Sequence, residues 1–487
     1  MTRLPKPLAY VAVILFVCLS ASHISAQEIR LKDSEHIQAK EWEHLFTIPE
    51  HPGLSRHIDS ETEKIILAEM NRRQKEVGDT MRTADVFYVW LPFFNYMRHE
   101  DPHMTVIPYL PHDIDWEAPE KERKKQWKKS SRNIYKYGKV LPVRAICIGD
   151  SVIVDKTLSP ELQPGDLILS INGDPMSEML KYDYQERHKF LGTFLAHYYM
   201  KMFCDEYVIE IIRDGKATTV TVAGQPEMND VEFQFTKQNS MDNNIRRYPE
   251  SSAGYVKIPS FFPDNSRLIR ILRKSILDFK KEGLTNIILD LRDNPGGYGS
   301  DFDKLLSMLI DKPSIDYQKG QKLMVSKATL NDYDFLTENM IGQVIDIPDS
   351  LIIKTLPLDN ELFIDGVKYY VMMDEGTAST AASFCNILQY NDAAQLVGEP
   401  LMHNALKYGE CLDSKMFWHP LRKEVKVFKA WLGVSGISTT EYDEHTKAVD
   451  GYLMPDIPIP YVAEEYMTGR DAMLDRLLKV IERKRGR

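Results

Sequence analysis

Cysteine is scarce in this sequence, with five residues among 487. Four of them, Cys147, Cys204, Cys385 and Cys411, follow the first 26 residues, and four in a chain of this length do not form a disulfide framework. None stands in the CxxC spacing of a zinc site, so we interpret each as a small buried hydrophobic residue. A glycine-rich nucleotide loop and a metal-ligand constellation are also missing, which predicts that the protein uses neither a cofactor nor a metal.

An excess of basic charge is missing as well. The chain has 61 Lys and Arg residues against 71 Asp and Glu, a net charge of −10. This balance argues against nucleic acid as the main partner, because binding phosphates requires a basic surface. The sequence is 43% hydrophobic and 27% charged, which excludes a wholly disordered, collagen-like or coiled-coil protein. Its length predicts about three domains.

The longest apolar run stands at the start of the chain. Arg3 and Lys6 precede an almost unbroken apolar run over residues 8–19, and small polar residues follow. This is the layout of a secretory signal peptide, residues 1–26, cleaved after Ala26. The run is shorter than the roughly 20 residues that a membrane helix needs. We expect an exported protein, periplasmic or secreted, without a membrane span or a lipid anchor, and the sequence leaves its oligomeric state open.

The spacing of apolar residues divides the remaining chain into regions. Residues 27–133 carry apolar side chains at helical spacing, as at Ile65, Ile66 and Met70, and predict a helical segment. Residues 134–224 predict a β-rich domain, with strands at 143–148, 151–154, 167–171, 208–212 and 218–222.

The third region, residues 251–470, alternates strand and helix patterns. Its predicted strands are 253–258, 286–292 and 369–373, and its predicted helices are 264–281, 300–310 and 381–388. The strands are continuous apolar runs of the kind found in buried parallel sheets. This order predicts an α/β core with its chemistry at the strand ends, followed by a basic C-terminal helix over residues 471–487.

Two turns in the predicted core carry candidate chemistry. The first follows the strand at 286–292 and contains Gly296 and Gly297, whose backbone amides could point at an oxyanion. The second places Ser379 directly after a buried strand and at the start of a helix, where unpaired amides and partial positive charge favour a developing anion. Taken singly, the glycine pattern favours simple turn chemistry, and the position of Ser379 favours a helix cap over a nucleophile.

Taken together, these turns resemble those of peptidase family S41, the C-terminal processing and tricorn-type serine peptidases, over roughly residues 60–470. The resemblance implies a ClpP/crotonase-like α/β core acting on proteins or peptides. It also implies that Ser379 is the nucleophile, and that the amide of Thr380, with that of Gly296 or Gly297, forms the oxyanion hole.

The β-rich domain resembles the PDZ domains that many members of this family insert before the core. In residues 162–173, a Pro164-Gly165 turn, an apolar strand and an Asn172-Gly173 turn follow one another in the expected order. The carboxylate-binding loop of a PDZ domain is not evident, and residues 137–140 are its nearest counterpart. This departure puts peptide capture in question, because PDZ domains bind chain ends by strand addition beside that loop.

The general base has two candidates. Processing members of the family use a lysine in a Phe-Gly-Lys-Gly string, and Lys407 lies near that place without the string around it. Tricorn-type members use a histidine, and Asp101-Pro102-His103 is similar to the string that carries it. We predict His103, because its ordinary pKa suits proton transfer near neutral pH, whereas a lysine must first be desolvated. Asp450 is the candidate to orient His103, and it is equally consistent with a turn residue.

The sequence therefore predicts an exported serine endopeptidase in which Ser379 is the nucleophile and His103 the base. Two alternatives stay open. One is a protease with a Ser379–Lys407 dyad, and the other is an inactive peptide-binding protein on the same scaffold.

Overall fold

The computed structural model of this protein describes residues 60–77, 139–177, 206–226, 244–261, 265–297, most of 301–402 and 452–485, with a few short segments elsewhere. The predicted signal peptide, 1–26, lies outside the described residues. The same holds for several residues singled out in the sequence, namely His103, Lys407, Asp450, Cys204 and Cys411.

An antiparallel sheet forms the first unit, which we call the antiparallel unit. Its strands are β1 (Val143–Ile148), β2 (Ser151–Thr157), β3 (Leu167–Ile171), β4 (Asp174–Pro175), β5 (Glu206–Arg213) and β6 (Lys216–Ala223). They lie in the order β6-β5-β3-β2-β1, with β4 beside β3. The five strands predicted from the sequence are confirmed, and β2 is three residues longer than expected.

Alternation of apolar and polar residues explains this sheet. Along β5, Tyr207, Ile209 and Ile211 are buried while their neighbours face solvent, as period-two patterning requires. Between β3 and β4, Asn172 and Gly173 have φ angles of 54° and 83°. These are the left-handed angles of the tight turn that the Asn-Gly pair predicts.

A mostly parallel sheet forms the core. Its strands are β7 (Ile245–Tyr248), β8 (Ala253–Lys257), β9 (Asn286–Asp290), β10 (Lys368–Met373), β11 (Ala394–Gly398) and β12 (Ile457–Pro458), which lie side by side in that order. Only β7 and β8 pair antiparallel. The helices of the described chain are α1 (Ser60–Val77), α2 (Asn265–Lys281), α3 (Phe302–Ser307), α4 (Thr380–Tyr390), α5 (Ala463–Tyr466) and α6 (Ala472–Arg485).

Helices cover both faces of the core sheet. On one face, Leu289 and Val371 pack in a cluster with residues of α2, α3 and α4, including Phe279 and Phe384. On the other face, neighbouring strand residues such as Ile288 pack with residues of α6. Because both faces are buried, the strands are apolar throughout rather than alternating. The predicted α/β core is confirmed.

One predicted helix is shorter than expected. The sequence predicted residues 300–310, but α3 ends at Ser307. The next carbonyl, that of Met308, accepts hydrogen bonds from the Ile364 amide at 3.1 Å and the Tyr369 hydroxyl at 3.4 Å, so it pairs with other parts of the core. Pro313 then prevents the helix from resuming, because it lacks an amide hydrogen.

Short strands pair around these two units. They are Ile29–Arg30 with Thr80–Met81, Thr105–Pro108 with Ala430–Gly433, Lys139–Val140 with Gln225–Pro226, Ser314–Asp316 with Thr355–Pro357, Gly320–Met324 with Val344–Asp346 and Ile437–Thr440, and Tyr452–Leu453 with Leu401–Met402 and Ala448–Val449. Short 3₁₀ helices lie at Glu338–Met340, Asp349–Leu351 and Asn360–Leu362. Among the described helices, none has the length and apolar character needed to cross a bilayer.

Two cysteines, Cys147 and Cys385, lie in the described chain, and neither forms a disulfide bond with another described residue. Cys385 is fully buried in the core, as predicted, and burial raises its pKa. Cys147 is only half-buried, because it lies near the end of β1, where the strand leaves the interior of the antiparallel unit.

The antiparallel unit is joined to the core by ionic contacts. Arg144 of β1 pairs with Asp155 of β2 at 3.0 Å and also with Asp293, which follows β9 in the core. The hydroxyl of Tyr466, at the end of α5, donates a hydrogen bond to Asp155. Burial by itself would lower the pKa of Arg144, but the charges of Asp293 and Asp155 raise it above its ordinary value. The guanidinium therefore stays charged at the junction.

Candidate active site

The two turns singled out in the sequence meet at one edge of the core sheet. β9 and β10 are neighbouring parallel strands, so the segments that follow them leave the sheet side by side. The Ala378 amide donates to the Asn294 carbonyl at 2.9 Å, and the Thr377 hydroxyl donates to the Leu291 carbonyl at 2.9 Å. The Thr380 hydroxyl donates to the Gly297 carbonyl at 2.7 Å. These bonds hold the glycine turn against the serine turn.

Ser379 has a strained backbone. Its φ and ψ angles are 52° and −126°, a combination that non-glycine residues rarely adopt and that costs about 1–3 kcal/mol. Its side chain makes no capping hydrogen bond to α4 and is partly exposed. The helix-cap interpretation is therefore wrong for the hydroxyl. Strain of this kind is typical of a nucleophile presented on a sharp turn between a strand and a helix.

Gly296 lies directly against Ser379. A Cβ atom built on Gly296 would stand 2.7 Å from the Cβ of Ser379, 2.8 Å from the Ala378 carbonyl oxygen and 2.9 Å from the Thr380 nitrogen. The φ angle of Gly296 is 95°, which also favours glycine. The first glycine is therefore required both by its conformation and by the close approach of the serine turn.

The backbone amides of the two glycines are used differently. The Gly296 amide donates to the side-chain oxygen of Asn294 at 2.9 Å, and the Asn294 side-chain nitrogen donates to the Ile258 carbonyl at 2.9 Å. Within the described chain, the amides of Gly297 and Thr380 donate no hydrogen bond. Among the described residues, these two backbone amides near Ser379 therefore have no hydrogen-bond acceptor.

A buried carboxylate links both turns to the C-terminal segment. One oxygen of Asp374 accepts the amides of Asp293 and Gly376, each at 3.0 Å, and the other accepts the Tyr461 hydroxyl at 3.0 Å. Burial and then the charge of Asp374 raise the pKa of Tyr461, so this hydroxyl stays protonated and donates. The sequence analysis did not single out Asp374, although a charge that ends a buried apolar strand was a signal for it.

A second buried cluster lies beside Asp374. Arg292 pairs with Asp290 at 2.6 Å and with Asp471 at 2.6 Å, and the Tyr255 hydroxyl donates to Asp290 at 2.7 Å. Burial raises the pKa of Asp290, but the charges of Arg292 and Lys257 outweigh burial and hold it below its ordinary value. The cluster ties the segment after β9 to the start of α6. Among the described residues, no group of His, Cys, Asp or Glu side chains is arranged to hold a metal ion.

The structure thus brings together four of the predicted site residues, Ser379, Gly296, Gly297 and Thr380. The predicted His103, Lys407 and Asp450 are outside the described residues. Near two of them only short backbone segments are described. Thr105–Pro108 pairs with Ala430–Gly433, and Ala448–Val449 pairs with Tyr452–Leu453.

Comparisons with known proteins show what this chain is similar to. Residues 252–407, which contain both turns, match the model of peptidase family S41. A probable CtpA-like serine protease of Staphylococcus epidermidis is 25% identical over 118 residues, covering 24% of this chain and 23% of the relative. One of Staphylococcus aureus is 28% identical over 116 residues, covering 23% of each chain. The chain matches about a quarter of the length of these curated relatives.

One solved structure has a similar fold over most of this chain. Mature CPAF complexed with lactacystin superposes with a TM-score of 0.58 at 14% identity, covering 91% of this chain and 97% of CPAF. At this identity the comparison concerns the fold alone. The family model matches the segment that contains the two turns, and residues 252–407 of this chain are similar to peptidase family S41.

Proposed function

We propose that this chain is an exported serine-type endopeptidase that hydrolyses peptide bonds in proteins or peptides. The observation that carries the proposal is the strained, uncapped Ser379 packed against Gly296. Among the described residues, the amides of Gly297 and Thr380 donate no hydrogen bond. Strain of about 1–3 kcal/mol at a partly exposed serine has no structural use here, because the helix gains no cap from it. Presentation of a nucleophile accounts for it.

In this mechanism the Ser379 hydroxyl attacks the scissile carbonyl carbon and its proton passes to the base. The amides of Gly297 and Thr380 stabilise the oxyanion of the tetrahedral intermediate. Of the two glycines, Gly297 is the better donor, because the Gly296 amide is already bonded to Asn294. The base returns the proton to the leaving amine, which breaks the peptide bond, and water then hydrolyses the acyl-enzyme by the reverse sequence.

His103 is the proposed base and Asp450 the proposed residue that orients it. An imidazole titrates near neutral pH and needs no special environment to accept a proton. Lys407 is the alternative base, in which case the reaction uses a Ser–Lys dyad.

The nucleophile is tested with a fluorophosphonate probe, which labels activated serines. We expect labelling at Ser379 in the wild-type chain. Ser379→Ala should lose both labelling and hydrolysis of an unstructured peptide, by about three or more powers of ten in rate. The matched control is Ser383→Ala, one turn further along α4, which should keep both. A chain that folds but is neither labelled nor active would instead support the peptide-binding alternative.

The base is tested by comparing His103→Ala with Lys407→Ala. We expect the first to lose activity by orders of magnitude and the second to lose little. The rate should rise with pH through a midpoint in the histidine range, because the base must be neutral to accept a proton. The reverse ranking of the two variants would discard His103 and favour the dyad.

We also propose that the antiparallel unit, within residues 134–224, is a PDZ-like domain, and that residues 1–26 direct export. The strand order and the Asn172-Gly173 turn support the first proposal. Sequencing the mature N-terminus of chain recovered from the periplasm or medium tests the second, with cleavage after Ala26 expected. A full-length chain retained in the cytoplasm would contradict export.

A further inference from the structure

The glycine turn is held from two sides by neighbouring segments. On one side lies the chain that continues β8, residues 258–261, and on the other lies the serine turn. The Phe261 amide donates to the Gly296 carbonyl at 2.9 Å, and Phe261 and Gly297 form a parallel bridge beyond the end of the sheet. The Thr380 hydroxyl donates to the Gly297 carbonyl from the side of the serine turn. The peptide that joins the two glycines therefore lies between these two segments.

This arrangement determines where the Gly297 amide points. The carbonyl and the amide of a trans peptide point in opposite directions. The Gly296 carbonyl and the Gly297 amide belong to one peptide, and that carbonyl is directed at Phe261. The amide is therefore directed away from the continuation of β8. Because β9 lies between β8 and β10 in the sheet, that direction is the side of β10 and of Ser379.

Asn294 holds the same peptide from within the glycine turn. Its side chain is fully buried. The side-chain oxygen accepts the Gly296 amide at 2.9 Å, and the side-chain nitrogen donates to the Ile258 carbonyl at 2.9 Å. Its backbone carbonyl accepts the Ala378 amide at 2.9 Å. One residue thus joins the glycine turn to the continuation of β8 and to the serine turn, and its side chain keeps the Gly296 amide out of the site.

We propose that Asn294 is a positioning residue, whose side chain selects the Gly297 amide as an oxyanion donor and holds that amide in place. This inference rests on the proposed peptidase function, because it concerns the same site. A side-chain amide suits the role, since it offers an acceptor and a donor together. Both of its partners are backbone groups, so the turn cannot shift without breaking a buried hydrogen bond. Donors fixed in advance are what an oxyanion hole requires.

Substitution of Asn294 tests this role in the full-length chain. Asn294→Ala leaves the Gly296 amide and the Ile258 carbonyl unpaired, so the glycine peptide is free to turn. We expect kcat on an unstructured peptide to fall by about a hundredfold and KM to change by less than about twofold, since the donor acts in the transition state. A peptide aldehyde, which forms a tetrahedral adduct with a reactive serine, should bind more weakly by about the factor by which kcat falls.

Asn286→Ala is the matched control. Asn286 stands at the start of β9, whereas Asn294 follows its end. The Asn286 side-chain nitrogen donates to the Ser251 and Ser252 carbonyls at 3.2 Å each, so this variant also loses two bonds from a side chain to backbone. It loses them at the opposite end of the strand from Ser379. We expect a lower unfolding temperature, with kcat and aldehyde affinity unchanged.

Hydrogen exchange of the wild-type chain gives a measurement that needs no variant to fold. Exchange resolved to single residues is compared with and without the peptide aldehyde. The Gly296 amide should exchange slowly in both states, because Asn294 binds it throughout. The Gly297 and Thr380 amides should gain protection only when the aldehyde is bound. If Asn294→Ala does not fold, the exchange result decides.

The outcomes separate this inference from the proposed function. Protection gained at Gly296 instead of Gly297 would overturn the inference, as would an Asn294→Ala chain with unchanged kcat and aldehyde affinity. An equal fall of kcat in Asn286→Ala would assign both losses to stability and overturn the positioning role. A wild-type chain that neither cleaves the peptide nor binds the aldehyde would instead overturn the peptidase function, and this inference with it.

Discussion

At the scale of single residues, Ser379 has a strained backbone and Asp374 makes hydrogen bonds that hold the turn containing it. Ser379 stores backbone strain, and such strain persists only where surrounding contacts over-determine the conformation. Asp374 supplies such contacts, because its three hydrogen bonds fix the start of the serine turn and the glycine turn beside it. A buried carboxylate five residues before Ser379 thus holds the serine turn in place, and we propose that it positions the nucleophile without touching substrate.

Asp374 substitutions test this positioning role. In Asp374→Asn the side-chain oxygen can still accept the Asp293 and Gly376 amides, and its nitrogen can donate to the Tyr461 hydroxyl. Asp374→Ala leaves three buried donors unpaired, at about 1–3 kcal/mol each. We expect kcat to fall by about a hundredfold in the alanine variant with KM little changed, and by tenfold or less in the asparagine variant.

Steady-state kinetics on one peptide, with thermal unfolding of each variant, checks this prediction. A loss of stability in Asp374→Ala without a loss of kcat would assign the carboxylate a purely structural role. Equal kcat values for the asparagine and alanine variants would show that charge, rather than hydrogen bonding, is what matters.

At the scale of elements, the site exists because two turns follow adjacent parallel strands. The register of β9 and β10 brings the glycine turn within contact of the serine turn, although 83 residues separate Gly297 and Thr380. The contact is so close that only a residue without a side chain fits at position 296. Packing of two elements, rather than turn chemistry alone, therefore explains that glycine.

Gly296→Ala tests the close contact between the turns. Its new methyl group would meet backbone atoms of the serine turn at under 3.0 Å, and backbone cannot move aside cheaply. We expect loss of most activity together with a lower unfolding temperature. Gly149→Ala is the matched control, because its φ angle is also positive, at 59°, but its methyl group would meet nothing within 4 Å. The control should lose about 1–2 kcal/mol of stability from its backbone and keep its activity.

Denaturant unfolding and peptide hydrolysis of both glycine variants measure the two effects. Full activity in Gly296→Ala would mean that the two turns are further apart in solution than the structure places them.

At the scale of the whole molecule, an ion pair joins the antiparallel unit to the core. Arg144 of the antiparallel unit pairs with Asp293, and the Asp293 amide is held by Asp374. The position of the antiparallel unit is thus linked, through two contacts, to the turn that carries Gly296 and Gly297. We expect this unit to brace the site rather than only to gate access to it.

Arg144→Ala tests bracing. The substitution leaves the half-buried Asp155 and Asp293 without their cation, which costs up to about 3–5 kcal/mol. Bracing predicts that activity on an unstructured peptide falls together with stability. Arg247→Ala is the control, because the Arg247–Glu282 pair of the core is exposed, at 45% and 43%, and its loss should change little.

Urea unfolding and cleavage of one short peptide compare the two arginine variants. Faster and less selective cleavage by a stable Arg144→Ala chain would favour gating over bracing. A change of similar size in Arg247→Ala would mean that exposed charge, not the junction, controls activity.

The sequence by itself determined the local structure of this protein. Period-two alternation set the strands of the antiparallel unit, continuous apolar runs set the buried core strands, and the Asn172-Gly173 pair set its turn. These features depend on residues only a few positions apart in the chain, so they can be predicted from the sequence pattern. The serine and glycine turns were recognisable for the same reason, since each lies within a short string. The end of α3 was not recognisable from the sequence, because the carbonyl of Met308 accepts hydrogen bonds from Ile364 and Tyr369, which lie far along the chain.

Only the tertiary structure decided which polar groups meet. Asp374 and Asp293 are 81 residues apart and Arg292 and Asp471 are 179 apart, and their pairing follows from the order of strands in the sheet. The physical reason is that strand and helix periods are set by local sterics and hydrophobicity, whereas hydrogen bonds and charge pairing depend on three-dimensional proximity, which the linear sequence does not contain.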